Sequence, residues 1–459
     1  MSSDVPPAPT WPLFVSVATY LVRTNSTQRS RKACANPPKS RQQLIAVAQQ
    51  KTLIDKFAVK NDALPEAVVK EVEIPVKKRE LPGLLASLSQ AETGSRTIAA
   101  EWVIHDSLLK SNGSHAEPRG KVVLFLHGGA HVRLSPKTHR PTVATISKEF
   151  KCRVLSVDYR LSPGVVFPAS TLDSVSAFLY LTEELGIAPT DVIVSGDSAG
   201  GNLCLTLMQY LRDSGLPQVG AAFLLSPWCD MSTSFESWNK NKESDYLDID
   251  NLDDPYHPPR LYLSATYPST ANSEAEYDVG KVSPYVSQAL APLDSLRNLP
   301  PMLVQSGGLE VIVDEAVVLV RRLRLADESN DVSHQLWTDG VHVFQGFQPD
   351  RSGASALREA GKWYSRLLSS NDATAERKAW EAEIDDLLYR EKQARIARAG
   401  PIKPARPADT RWRWERSVER LEEPGCKPDG HDLARKAAEE ARQVSGKKAE
   451  AEVFRPVRA

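Results

Sequence analysis

A chain of 459 residues, 41% hydrophobic and 25% charged, holds enough apolar material for a buried core and is too apolar to be mostly disordered. Its formal net charge of -1 excludes the basic balance that draws a protein to nucleic acid or an anionic membrane, so a small neutral substrate fits better. The five cysteines, Cys34, Cys152, Cys204, Cys229 and Cys426, form no CxxC pair and no metal-ligand spacing. They read as reduced, mostly buried thiols of a cytoplasmic protein, and neither a metal nor a cofactor is expected.

Taken in chain order, residues 11–22 form an apolar stretch shorter than the roughly 18 to 20 residues that cross a bilayer. No basic segment precedes it, which argues against a secretory signal, and it is expected to pack as a helix on the domain. Trp11, Phe14 and Tyr20, followed by Arg29, Arg31 and Lys32, would also suit a weak membrane-surface association through the N-terminus. Residues 96–370 alternate short β-branched apolar runs with helix-period segments, which predicts an α/β fold with a mostly parallel central sheet and helices on both faces. Residues 1–95 as a whole lack that alternation and are expected to form an N-terminal cap or lid.

Strands are expected at 101–105, 122–127, 153–158, 192–196, 221–226, 302–306 and 333–337, and helices at 172–184, 199–213, 314–327 and 355–368. A second irregular stretch, 232–301, is rich in Pro, Tyr, Asp and Asn. With the cap it is expected to cover the carboxyl ends of the strands, where open α/β sheets bind ligands. Residues 371–459 turn to Lys, Arg, Glu and Ala with nearly cancelling charges, the composition of a helical or partly disordered tail. Trp412 and Trp414, set among Arg411, Arg413 and Arg416, offer a docking element for an unidentified partner but are too short a cluster to indicate nucleic acid.

The chemistry concentrates at Gly196-Asp197-Ser198-Ala199-Gly200, a G-x-S-x-G elbow placed between an expected strand and an expected helix. Glycines on both sides let the backbone turn sharply, so that Ser198 lifts its hydroxyl above the sheet as a nucleophile. The strand at 122–127 runs into His127-Gly128-Gly129-Ala130, whose consecutive N–H groups suit an oxyanion hole. Gly128, Gly129 and Ala199 are the expected donors. A serine needs a base, and His342 lies past the last strand, in the chain order nucleophile, acid, base. His334 falls within a strand, and His127, His131, His139 and His257 come too early. The acid stays open between Glu310, in the loop after the strand at 302–306, and Asp314, in the first turn of the next helix, with Glu310 favoured.

Together these residues resemble the hormone-sensitive lipase family of α/β-hydrolase-fold esterases and lipases. The likeness covers about 121–368: His127 to Ala130 resembles the HGGG loop, Gly196 to Gly201 matches GDSAGG letter for letter, and Tyr159-Arg160-Leu161-Ser162-Pro163 and Phe167-Pro168-Ala169 resemble the YRLAPE and FPA segments. Aligning the family's D-P-L-x-D-E on Asp314-Glu315 sets Glu310 where the family has its acidic Asp. Ala130 stands where the family has a third glycine, which is tolerable if its φ is ordinary, and Gly164 replaces the Glu of YRLAPE. The resemblance implies hydrolysis of carboxylic esters of short to medium acyl chain, deacetylation among them, without metal or cofactor. The same residues would serve an acyltransferase or a lactone-forming enzyme, and a small-molecule receptor on this fold would differ by losing the histidine, which here is present. The resemblance does not extend to the tail.

Overall fold

The computed structural model describes residues 28–35, 37–48, 66–108, 121–247, 254–264, 277–347, 351–369 and 456–457. Its centre is a sheet in the order β1-β2-β4-β3-β5-β6-β7-β8-β9. The strands are β1 (Ala67–Pro75), β2 (Thr97–His105), β3 (Val122–Leu126), β4 (Arg153–Val157), β5 (Val192–Asp197), β6 (Ala221–Leu225), β7 (Met302–Gly307), β8 (Val332–Trp337) and the two-residue β9 (Pro456–Val457). β1, β2 and β4 pair antiparallel, and from β4 onward every pairing is parallel.

The continuous apolar runs VVLFL in β3 and AAFLL in β6 are buried at every position. That pattern belongs to strands covered on both faces. Successive side chains point to opposite sides, and the core divides accordingly. Val122, Leu124 and Leu126 face one cluster with α2 (Ala169–Leu179), α3 (Ala199–Asp213) and α4 (Val313–Ala326). Val123 and Phe125 face the other, with α1 (Pro136–Phe150) and α5 (Arg351–Ser369). Cys204 and Cys229 lie in the first cluster and Cys152 in the second, as free thiols packed like small apolar residues.

Two elements differ from the sequence reading. The sheet begins at Ala67, well inside the stretch assigned to a cap, because β1 alternates apolar residues with Lys70, Glu71 and Glu73 and so forms a half-solvated outer strand. Charges on an edge strand protect it from pairing with other chains. Helix α1 was hidden in the sequence by Pro141 in its interior, a residue that disfavours helix. Its start is nonetheless well specified, with Pro136 in the first turn and a capping box between Ser135 and Thr138.

The parallel order decides where function can sit. His127, Ser198, Ser226, Glu310 and His342 follow the carboxyl ends of β3, β5, β6, β7 and β8, so five loops meet on one rim. The helix Arg41–Ala48 lies against this rim: Leu44 is buried with Val132 and Leu261 beside Ala130, and Arg41 Nη2 donates to Pro163 O at 2.7 Å. The apolar stretch 11–22, Cys426 and the tryptophans of the tail lie outside the described residues. Among the described residues no helix is long and apolar enough to cross a membrane.

Candidate active site

Strand β5 ends at Asp197 and α3 starts at Ala199, so the reversal of direction falls on Ser198, which takes φ 52° and ψ −119°. A non-glycine residue held there costs about 1–3 kcal/mol and persists only when its surroundings over-determine it. They do so here: Ser198 N–H donates to Leu225 O at 2.9 Å, and Ser198 O accepts the N–H groups of Trp228 at 3.0 Å and Asn202 at 3.1 Å. The flanking glycines are dictated by contact. A Cβ on Gly200 would lie 1.9 Å from Leu126 O, and one on Gly196 would lie 2.4 Å from the same oxygen. The elbow is thereby pressed against the end of β3, and Ser198 keeps 9% of its surface exposed.

His342 Nε2 lies 2.9 Å from Ser198 Oγ, and its Nδ1 lies 3.1 Å from Glu310 Oε2. A carboxylate at Nδ1 fixes that nitrogen as the donor and leaves Nε2 to accept the serine proton. Burial opposes a charged imidazole, but the hydrogen bond and charge of Glu310, followed by the charges of Asp245 and Asp197, outweigh it and hold His342 above its ordinary 6.5. Glu310 is fully buried, its Oε1 accepting Ser226 Oγ–H at 2.6 Å and the N–H of Gly307. Asp314, the other candidate acid, turns instead to the segment before β7, where its Oδ2 accepts Ser237 N–H at 3.0 Å.

The loop after β3 departs from the sequence reading at two residues. Gly128 N–H donates to Asp197 Oδ1 at 2.9 Å, so this donor is engaged by a carboxylate, and the expectation that it joins an oxyanion hole is corrected. Burial would raise Asp197, yet the charge and hydrogen bond of His139, 3.2 Å away, and the Gly128 N–H hold it below the usual carboxylate range. Ala130 has φ 56° rather than an ordinary value. Gly129 has φ 111°, and a Cβ there would lie 2.1 Å from Arg133 O. Beside this loop His127 stacks on Tyr159 with ring centroids 4.4 Å apart and accepts the Tyr159 hydroxyl at its carbonyl.

Sequence reasoning missed the residues that hold this chain together. Ser226 stands just past β6 on the same rim, a placement that could have marked it. Besides binding Glu310, its Oγ accepts Val343 N–H at 3.1 Å. Asp245 lies 97 positions before His342, at no spacing that links them, yet it is buried beside both loops. Burial pushes its carboxyl up to about 6, His342 pulling the other way and Glu310 adding to the rise. Around the elbow an apolar cluster of Ala199, Trp228, Met231, Trp238, Tyr262 and Ile312 is joined by Ala130 and Phe167. The Tyr262 ring stacks on His131 at 3.9 Å.

A profile of the alpha/beta hydrolase fold matches residues 123–346. The chain is 32% identical over 263 residues to an acetyl-hydrolase of Streptomyces hygroscopicus, covering 57% of this chain and 78% of that protein. Among solved structures, an esterase from the bacterial hormone-sensitive lipase family superposes with a TM-score of 0.56 at 26% identity, covering 79% of this chain and 100% of that one. A crystal structure of EstE5 soaked with p-nitrophenyl butyrate superposes with a TM-score of 0.54 at 26% identity, covering 75% and 98% of the two chains. The elbow, the rim of five loops and these likenesses agree: the chain belongs to the hormone-sensitive lipase family of α/β-hydrolase-fold esterases and lipases, and as a member is an enzyme of the carboxylesterase type.

Proposed function

We propose that the chain hydrolyses carboxylic esters of short to medium acyl chain through an acyl-enzyme on Ser198. Ser198 Oγ attacks the ester carbonyl while His342 Nε2 takes its proton, and Glu310 holds the imidazolium that forms. His342 then returns the proton to the departing alcohol. Water, activated by the same histidine, adds to the acyl-enzyme, releases the carboxylic acid and regenerates the serine. With Gly128 N–H engaged by Asp197, the N–H groups of Gly129 and Ala199 are left as the proposed oxyanion donors. The observation that carries this reading is the unbroken chain from Ser198 Oγ to His342 at 2.9 Å and from His342 to Glu310 at 3.1 Å.

The aromatic surroundings of the elbow and the relative named an acetyl-hydrolase support the short end of the acyl range. The helix Arg41–Ala48 and the segment carrying Tyr262, both packed near Ala130, are proposed as parts of the cap that shapes the substrate pocket.

Release of p-nitrophenol from acetate, butyrate and octanoate esters tests the proposal. The parent is expected to turn over the shorter esters, and Ser198→Ala to lose about 10⁴-fold or more in kcat. A folded parent inert on every ester, or a Ser198→Ala variant as active as the parent, would sink it.

A further inference from the structure

The segment between β6 and β7 carries a buried carboxylate that joins the two loops bearing Glu310 and His342. Asp245 Oδ2 accepts the N–H of Val311, the residue after Glu310, at 2.8 Å. Its Oδ1 accepts the N–H of His342 at 3.3 Å and of Tyr246 at 2.8 Å. On the same segment Asn241 Nδ2 donates to Glu310 O at 2.6 Å, which adds to the tie to the acid loop. Backbone N–H groups need only an acceptor, and a neutral amide or carbonyl would supply one without burying a charge. The group that gains from a charge here is the imidazole, which becomes an imidazolium when it takes the proton of Ser198.

We propose that Asp245 is a positioning residue for ester hydrolysis by Ser198: its hydrogen bonds set the Glu310 and His342 loops against each other, and its negative charge joins that of Glu310 in stabilising the imidazolium. The inference rests on the proposed esterase reading of the site. It gives the segment between β6 and β7 a part in handling the proton.

The titratable groups that face Asp245 are His342 and Glu310 from the two loops and Tyr246 beside it, with Asp197 next in reach of His342 and Tyr246. Burial pushes the Asp245 carboxyl up to about 6, while the charges of Glu310 and Asp245 help hold His342 above its ordinary 6.5. The two titrations are coupled, and the apparent values belong to the group of residues.

The test pairs Asp245→Asn, which keeps the size and removes the charge, with Asp245→Glu, which keeps the charge at altered length. Each is followed by the pH profile of p-nitrophenyl ester hydrolysis and, in a Ser198→Ala background, by NMR titration of the His342 imidazole. Asp245→Asn is expected to lower the His342 midpoint by about half to one pH unit and the plateau kcat by about tenfold, with KM changed less. Asp245→Glu is expected to keep the midpoint nearer that of the parent. Superimposable His342 titrations in parent and Asp245→Asn, or a midpoint in Asp245→Glu displaced further than in Asp245→Asn, would overturn the inference. The NMR arm needs no turnover, so it decides the role of Asp245 even if the parent hydrolyses no ester.

Discussion

The Ser198 side and the Glu310–His342 side of this site are built by opposite means. At the elbow the geometry is set by backbone: Gly196 and Gly200 lie so close to Leu126 O that no side chain fits, and the strained Ser198 is pinned by main-chain hydrogen bonds. On the other side Glu310 and His342 sit in loops held by side chains brought from elsewhere, Ser226 from the end of β6 and Asp245 and Asn241 from the inserted segment. A backbone device tolerates no local substitution but needs no distant partner. A side-chain device can be retuned one partner at a time, so the Glu310–His342 half is the adjustable half of the site.

The two sides of the site respond differently to substitution. Glu310→Gln keeps the shape of the acid and removes its charge, so kcat is expected to fall by about 10³- to 10⁴-fold, as when a triad acid is neutralised elsewhere. The residual activity should also shift in pH. The base must be neutral to act, and Glu310 is the main influence raising His342, so the acid limb of the profile should move to lower pH in the variant. A limb that stays in place would mean that another group sets the histidine.

Gly200→Ala probes the backbone half. Its Cβ would meet Leu126 O at 1.9 Å, and relief of the clash is expected to cost about 1–3 kcal/mol or more in chemical denaturation, with activity lost along with the elbow geometry. Stability and activity equal to the parent would show that the elbow is less tightly pressed than the contact implies. Ala130→Gly should give the smallest effect. The alanine holds φ 56°, and relief of that strain, offset by the freer unfolded chain of a glycine, is expected to raise stability by no more than about 1 kcal/mol. A loss instead would show that the packing of the methyl against its two neighbouring apolar clusters outweighs the strain.

The backbone half was also the legible half. A strand, two glycines around a serine and a helix lie within one short stretch, and the geometric need that selects those glycines leaves a mark in the sequence. The apolar runs of β3 and β6, and those that open β5 and β7, were readable for a similar reason, since burial on both faces demands continuous apolar residues. β1 was not, because an edge strand half in solvent carries charges that blur its period. Asp245 left no mark at all: its partners Val311 and His342 are fixed through backbone N–H groups, which every residue but proline owns, at separations of 66 and 97 positions. Gly128 misled because a glycine-rich loop announces free N–H groups without saying which of them a neighbouring carboxylate takes.

The most direct test of the account is to trap the covalent intermediate. Mixed rapidly with excess p-nitrophenyl acetate and quenched in acid, the parent is predicted to release a burst of p-nitrophenol stoichiometric with enzyme. One acetyl group should then be found, by mass spectrometry, on the peptide containing Ser198. An acetyl group on another residue, or steady turnover in the parent that persists undiminished in Ser198→Ala, would contradict it.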